Sequence, residues 1–145
     1  SGEADIGMLP EPFVSSVTLK NADARIALDL NEAWEETSGT KLVQGVYIAR
    51  RDYYDANKDA IETFLEDYKD SVDRVNTQDD AASIVASLGI VASEEIAAAA
   101  IPRSSIVCIT GDEMVTSCDA MLNVLFTAYP SSVGGELPGE DFYAD

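Results

Sequence analysis

The chain has 145 residues, of which 46% are apolar, and both values are typical of one globular domain. Its 27 acidic and 9 basic side chains give a formal net charge of −18, which argues against nucleic acid and anionic membranes as partners. Histidine is absent, which excludes a Ser-His-Asp triad, a Cys-His pair and a His-based zinc site. We interpret most of the acids as the solvated faces of helices.

The first predicted element is a strand at residues 5–9, where aliphatic residues are bounded by Asp, Gly and Pro. Pro12 suits the first position of a helix, so Glu11 lies at a strand-to-helix turn. Because ligands collect at the carboxyl ends of strands in α/β sheets, Glu11 and Pro12 are candidate ligand-binding residues. The alternative is that Glu11 only caps the helix and interacts with its dipole.

A second strand is predicted at residues 25–30, followed by a polar and irregular link at residues 28–45. Trp34 lies in this link, between acidic residues. Its ring could stack on a flat ligand or cover a small hydrophobic patch. Trp34 is therefore a third candidate ligand-binding residue.

A third strand is predicted at residues 42–49 and contains the fourth candidate, Tyr47. Tyr47 points into either a core or a cleft, depending on the register of the strand. Arg50 and Arg51 follow this strand and could hold an anion. Because so many acids surround them, we expect these two cations to be solvated or salt-bridged instead.

Apolar residues at steps of three and four predict amphipathic helices at residues 57–75 and 112–129. Thr77 and Ser93 are predicted as N-caps of two shorter helices. The apolar run at residues 105–110 predicts a fourth strand.

Two cysteines are present, Cys108 in the fourth strand and Cys118 in the last long helix. They lack the C-x-x-C spacing of redox and zinc motifs, so no metal or cofactor is expected. They are either two buried thiols or one disulfide closed over a short loop.

The last residues, 129–145, keep three aromatic side chains among two prolines and two adjacent glycines. Pro130 ends the long helix, and Gly134 and Gly135 allow positive backbone dihedral angles. We expect Phe142 and Tyr143 to dock on a surface already formed by the rest of the chain.

The order of elements predicts an α/β fold in which short sheet segments are followed by several helices. Because the chain enters a strand almost at once, we expect further strands from sequence outside this segment. The other source of strands is a second copy, through self-association.

Four stretches of the sequence resemble, in order, the solute-binding proteins of ABC importers in the nitrate, sulfonate, taurine and thiamine-precursor group. The stretches are "SGEADIGMLPEP" at 1–12, "GVYIARRDYYDANKDAIETFLEDY" at 45–68, "ASLGIVASEEIAAAAIP" at 86–102 and "SVGGELPGEDFYAD" at 132–145. The resemblance implies the C-terminal part of a two-lobed, type II periplasmic-binding-protein-like fold. Residues 1–41 would form the end of the second lobe and a hinge crossing, and residues 42–145 the C-terminal part of the first lobe with a docked tail.

The same resemblance implies a receptor outside the cytoplasm, either in the periplasm or anchored as a lipoprotein on the surface of a bacterium. Such a receptor captures a small molecule non-covalently in a cleft between lobes and delivers it to ABC permease subunits. It is not an enzyme and needs no cofactor. If Glu11 faces that cleft, its carboxylate favours a nitrogen-containing ligand over a bare anion.

Two other functions stay open at this point. One is an acidic, non-catalytic domain that binds a basic protein. The other is a carboxylate-based hydrolase with Glu11, Asp29 or Glu32 as acid and base, although no spacing singles out such a pair. Pyrimidine-forming enzymes of the same broad family depend on histidine and a cysteine cluster, and this sequence has neither.

Overall fold

A computed structural model describes residues 4–144, apart from the side chain of Glu140. This part of the chain forms seven α-helices and three short 3₁₀ helices. The α-helices are α1 (Phe13–Lys20), α2 (Leu30–Ser38), α3 (Arg51–Ala56), α4 (Lys58–Thr77), α5 (Ala81–Ser87), α6 (Glu94–Ala100) and α7 (Gly111–Ala128). The 3₁₀ helices are Ile101–Arg103, Pro130–Val133 and Glu140–Phe142.

The predicted α/β fold is wrong, because residues 4–144 contain no β-strand. The four segments predicted as strands, 5–9, 25–30, 42–49 and 105–110, make no backbone hydrogen bonds with one another. A strand exists only when its backbone groups pair with a neighbouring strand, and an apolar composition cannot supply that neighbour. Their side chains are correspondingly exposed, to 93% for Ile6 and 84% for Ile48.

The chain divides into two compact units. Unit 1 comprises Ser1–Ala27 and Asp55–Cys108, and therefore holds α1, α4, α5 and α6. Unit 2 comprises Leu28–Tyr54 and Ile109–Asp145, and therefore holds α2 and α7.

The buried apolar side chains among the described residues all belong to unit 1. They are Val72, Ala81, Ile96, Ala97 and Ala100. In unit 2, α7 has half-buried apolar side chains, such as Met121 and Leu125. Unit 1 therefore has the better-formed core of the two.

The two long helices predicted from periodicity are confirmed as α4 and α7. The cap at Ser93 is also confirmed, because its side chain accepts a hydrogen bond from the backbone N–H of Ile96 at the start of α6. The cap predicted at Thr77 is wrong. Thr77 is the last residue of α4, and its hydroxyl donates to the carbonyl of Asp73.

The link at residues 28–45, predicted to be irregular, contains the helix α2. The side chain of Asp29 caps this helix by accepting from the backbone N–H of Asn31. Gly39 ends it in the left-handed conformation, with φ 70°. These two caps satisfy backbone groups at both ends of a segment whose polar composition had predicted an irregular link.

Among the described residues, no helix combines the length and the hydrophobicity that spanning a bilayer requires.

Candidate functional site

Unit 1 contains a half-open pocket of about 380 Å³. Its walls come from α4, α5, α6 and the residues that follow α6, and Pro12 contributes to the lining. Aliphatic side chains dominate, and none of the described residues that line it is charged. The volume lies within the range of small-molecule sites in proteins.

One side of the pocket is shaped by the way α5 ends. Gly89 adopts φ +72° and donates its N–H to the carbonyl of Ala86, while Ile90 donates its N–H to the carbonyl of Val85. This pair of bonds is a Schellman motif, which is frequently accompanied by a hydrophobic contact between the two residues joined by the longer bond. Val85 and Ile90 both line the pocket, so the motif sets the shape of this wall.

Another wall is formed by α6, which packs against both α1 and α5. Its alanines Ala97 and Ala100 are only 1% and 4% exposed, and both line the pocket. Alanine favours the helix and lets neighbouring helices approach closely. Glu94 and Glu95 lie in the first turn, where acidic side chains suit the helix dipole.

The side chain of Asn76 bonds the segment after α6 to α4. The Nδ2 atom of Asn76 donates to the carbonyl of Val72, 2.9 Å away, and to that of Ile106, also 2.9 Å away. Val72 and Ile106 both line the pocket. Asn76 therefore fixes the distance between two of its walls.

Three hydroxyl groups are the polar side-chain groups of the lining. The Oγ of Ser71 donates to the carbonyl of Asp67 at 2.9 Å, and the Oγ of Ser104 donates to the carbonyl of Ala100 at 2.8 Å. Since a serine hydroxyl has one hydrogen, each oxygen can still accept a hydrogen bond but has no second one to donate. The third hydroxyl belongs to Tyr68, whose ring stacks on Phe64 at a centroid distance of 6.1 Å.

Glu11 lies beside the pocket in a largely structural role. One carboxylate oxygen accepts from the backbone N–H of Ser15 at 3.1 Å, in the first turn of α1. The other accepts from the Nε of Arg103 at 2.8 Å, and the Glu11 side chain is 9% exposed. The Glu11–Pro12 peptide bond is cis. The contact with Ser15 is the capping alternative considered from the sequence.

The four predicted site residues are divided between the units. Glu11 and Pro12 are neighbours in unit 1, whereas Trp34 and Tyr47 belong to unit 2. The Nε1 of Trp34 donates to the hydroxyl of Thr40 at 3.1 Å, which fastens the end of α2. Tyr47 is 66% exposed. Of the four residues, the unit 1 pocket includes Pro12 alone in its lining.

The basic residues of unit 2 are used in ion pairs and hydrogen bonds. Arg50 pairs with Asp52 at 3.2 Å, and Lys41 pairs with Glu113 at 2.6 Å, which raises the pKa of Lys41. Arg51 donates to the carbonyl of Asp141 in the last residues of the chain. These contacts agree with the salt-bridged interpretation of Arg50 and give Arg51 a structural partner.

The last described residues pack on α7. The hydroxyl of Tyr143 donates to the carboxylate of Asp119, and the Tyr143 ring meets Phe142 edge-on at 5.2 Å. Burial, followed by the hydrogen bond to Asp119, raises the pKa of Tyr143 well above its usual range. The positive φ angles predicted for Gly134 and Gly135 are found, at 86° and 94°. Phe142 itself is 58% exposed, so Tyr143 makes the main contact with α7.

Both cysteines are free and half-buried, so the disulfide considered from the sequence is not formed. Burial, with a smaller contribution from Asp119, raises the pKa of Cys118. Within residues 4–144, no group of three or more Cys, Asp or Glu side chains is placed so that it could hold a metal ion.

Sequence reasoning did not identify most of the pocket. Its lining residues are ordinary core residues of three separate helices, and no short motif joins them. One local signal was present. Gly89 follows a short helix, and the apolar residues Ile90 and Val85 lie one position after and four positions before this glycine. That spacing is typical of a Schellman motif with a hydrophobic contact.

No protein-family model, curated protein or solved structure matches this chain.

Proposed function

We propose that this chain captures a small molecule without transforming it, as part of an extracytoplasmic receptor of an ABC importer. The family and the location outside the cytoplasm rest on the four sequence stretches that resemble such receptors. The permease subunits are the partners that this assignment requires. Trp34 and Tyr47 stay sequence predictions of ligand contacts within unit 2.

The observation that carries the proposal is the pocket of unit 1. It has about 380 Å³ of space, lies among the most buried helices of the chain, and has Pro12 in its lining directly after the capping residue Glu11. Apolar concave sites with a few convergent polar groups are the usual places where proteins bind small molecules.

The chemistry of the lining supports binding rather than catalysis. The hydroxyls of Ser71 and Ser104 donate to helix carbonyls, and none of the described lining residues is a carboxylate, a thiol or an amine. A serine nucleophile needs a neighbouring base to accept its proton. This arrangement favours a receptor over the carboxylate-based hydrolase.

Thermal unfolding in the presence of a chemical panel tests the proposal. The panel contains uncharged heterocycles, amines, sulfonates and oxyanions, each tested at several concentrations. A ligand present at 100 times its dissociation constant stabilises the folded state by about 2.7 kcal/mol. We expect at least one class to raise the Tm in a saturable manner, and an unchanged Tm with every class would contradict the proposal.

A second function, docking to a basic protein, is favoured by the amount of exposed surface. The accessible surface is 11,027 Å². Two independent globules with the masses of the two units would expose only about 8,700 Å² in total. Each unit has strongly exposed apolar side chains, such as Ile6 and Ile48, which a protein partner would cover.

The net charge of −18 defines the partner in this second case, because an acidic surface attracts a basic one. Binding would then weaken strongly as salt is added. Titration with a basic protein such as cytochrome c at low and high salt provides the test. If no binding is measured at low salt, this function is ruled out.

A further inference from the structure

The described lining of the pocket of unit 1 offers no oppositely charged side chain to a charged ligand. None of its described lining residues carries a charge, and Arg103, which directly precedes the lining residue Ser104, donates its Nε to Glu11. An ion that entered would lose part of its hydration without gaining a counter-charge, and that exchange is unfavourable. The lining therefore selects against sulfonates, nitrate and ammonium groups.

The size of the pocket limits the ligand. A dry apolar cavity of about 150 Å³ is large enough for benzene. The value of about 380 Å³ in unit 1 leaves room for two fused rings. Tyr68 is the aromatic residue of the described lining, and a planar ligand can stack on an aromatic ring.

The two serine hydroxyls of the lining favour a ligand of one polarity. The hydroxyl hydrogens of Ser71 and Ser104 are already donated to the carbonyls of Asp67 and Ala100. What these side chains offer to a ligand is an oxygen that accepts. A ligand that presents an N–H or O–H group satisfies this oxygen, whereas a ligand with only acceptors does not.

From these three observations we infer that the pocket of unit 1 takes an uncharged, planar and largely apolar molecule of one or two rings that presents an N–H or O–H donor. This inference rests on the proposed small-molecule function and names the ligand class for the same pocket. It departs from the anionic ligands that the family resemblance includes.

Calorimetric titration of the chain with matched probes tests the ligand class. Indole is uncharged and has one N–H donor, 1-methylindole lacks the donor, and benzenesulfonate carries a negative charge on a single ring. Indole should bind with a stoichiometry of one. Because it lacks one hydrogen bond, 1-methylindole should bind about fivefold more weakly, and benzenesulfonate should show no measurable binding. Benzenesulfonate binding as tightly as indole would overturn the inference.

Two variants at positions of similar exposure locate the binding. Ile90 lines the pocket and is 67% exposed, so Ile90→Trp fills the pocket without crowding a buried position. Leu88 is 69% exposed and lies outside the lining, so Leu88→Trp is the matched control. Indole affinity should fall more than tenfold in Ile90→Trp and stay unchanged in Leu88→Trp. Equal effects of the two changes would place indole elsewhere and refute the inference.

The double variant Ser71→Ala with Ser104→Ala tests the role of the hydroxyls. In this variant the affinities for indole and 1-methylindole should become equal, while that for 1-methylindole stays as in the unchanged chain. A persistent preference for indole would refute the donor requirement. Urea unfolding of each variant shows that it is folded before titration.

The outcomes separate this inference from the proposed function. If taurine, nitrate or benzenesulfonate binds and Ile90→Trp abolishes that binding, the pocket is a small-molecule site but the ligand class is wrong. If no compound of any class binds, the proposed function itself fails.

Discussion

The Nε atom of Arg103 lies 2.8 Å from Oε1 of Glu11, and the two residues are 92 positions apart in the sequence. The Glu11 side chain is 9% exposed and that of Arg103 is 40% exposed. The pair joins the turn before α1 to the 3₁₀ helix after α6, and both elements adjoin the pocket of unit 1. This ion pair is therefore a structural link of the candidate site.

Replacing Arg103 by Met should destabilise the chain by about 1–2 kcal/mol, because a nearly buried carboxylate then loses its counter-charge. The double variant Glu11→Gln with Arg103→Met should lose less free energy of unfolding than the two single variants lose together. Urea unfolding of the four proteins measures both effects.

The exposed pair of Arg50 and Asp52 provides the control. Its side chains are 81% and 73% exposed, so Arg50→Met should change the free energy of unfolding by less than about 0.5 kcal/mol. An effect of Arg103→Met no larger than that of Arg50→Met would show that the Glu11 pair is not structural.

Replacing Gly89 by Ala should lower the free energy of unfolding by about 1 kcal/mol, because an L residue at φ +72° is strained. No atom lies within 4 Å of the added Cβ, so the strain comes from the backbone and not from a clash. Gly45 also has open space around its Cβ position and has no positive φ, so Gly45→Ala is the control and should be nearly neutral. Thermal unfolding compares the two. A loss of stability in Gly45→Ala that matched the loss in Gly89→Ala would contradict the Schellman assignment.

The hydrogen bond between Tyr143 and Asp119 predicts a pH dependence. Because the folded state raises the pKa of Tyr143, the stability that this hydroxyl contributes is complete below the pKa of an unfolded tyrosine, about 10. It is lost as the pH rises toward the higher pKa of the folded state. Tyr143→Phe should lower the free energy of unfolding by about 1 kcal/mol at pH 7. As the pH rises from about 9 to 11, the free energy of unfolding of this variant should fall by less than that of the unchanged chain.

Urea unfolding across this pH range, with the other five tyrosines present in both proteins, isolates the contribution of Tyr143. Parallel curves for the two proteins would show that the contact between Tyr143 and α7 does not form.

The two free thiols predict that a reducing agent leaves the Tm unchanged. A disulfide between Cys108 and Cys118 would stabilise the chain by about 3 kcal/mol, so reducing it would lower the Tm by several degrees. Thermal unfolding with and without dithiothreitol distinguishes the two cases, and a lower Tm with dithiothreitol would disprove the free-thiol state.

Local patterns in the sequence predicted the local parts of the fold. The periodicity of α4 and α7 and the cap at Ser93 depend on residues a few positions apart, and all three are found. The strands failed for the opposite reason. Segments such as 42–49 have the composition of a strand, but a sheet requires a partner from a distant part of the chain, and composition does not show whether that partner exists.

In the candidate site, too, contacts between residues close in sequence could be predicted, and contacts between distant residues could not. Glu11 was identified as a cap or a ligand contact from its turn, and the capping contact with Ser15 is local. Its partner Arg103 is remote in sequence, and so are Tyr68 and Ile90, which both line the pocket. Tertiary packing alone brings such residues together, which is why the pocket could not be read from the sequence.

We propose that the pocket of unit 1 holds a small molecule. Amide ¹H–¹⁵N spectra recorded during a titration with indole report on this binding residue by residue. We predict that the amide signals of Val85, Ile90 and Ala97 shift together with one dissociation constant, while those of Asp119 and Tyr143 stay in place. Shifts centred on Asp119 and Tyr143, or no saturable shift at any of these residues, would contradict the account.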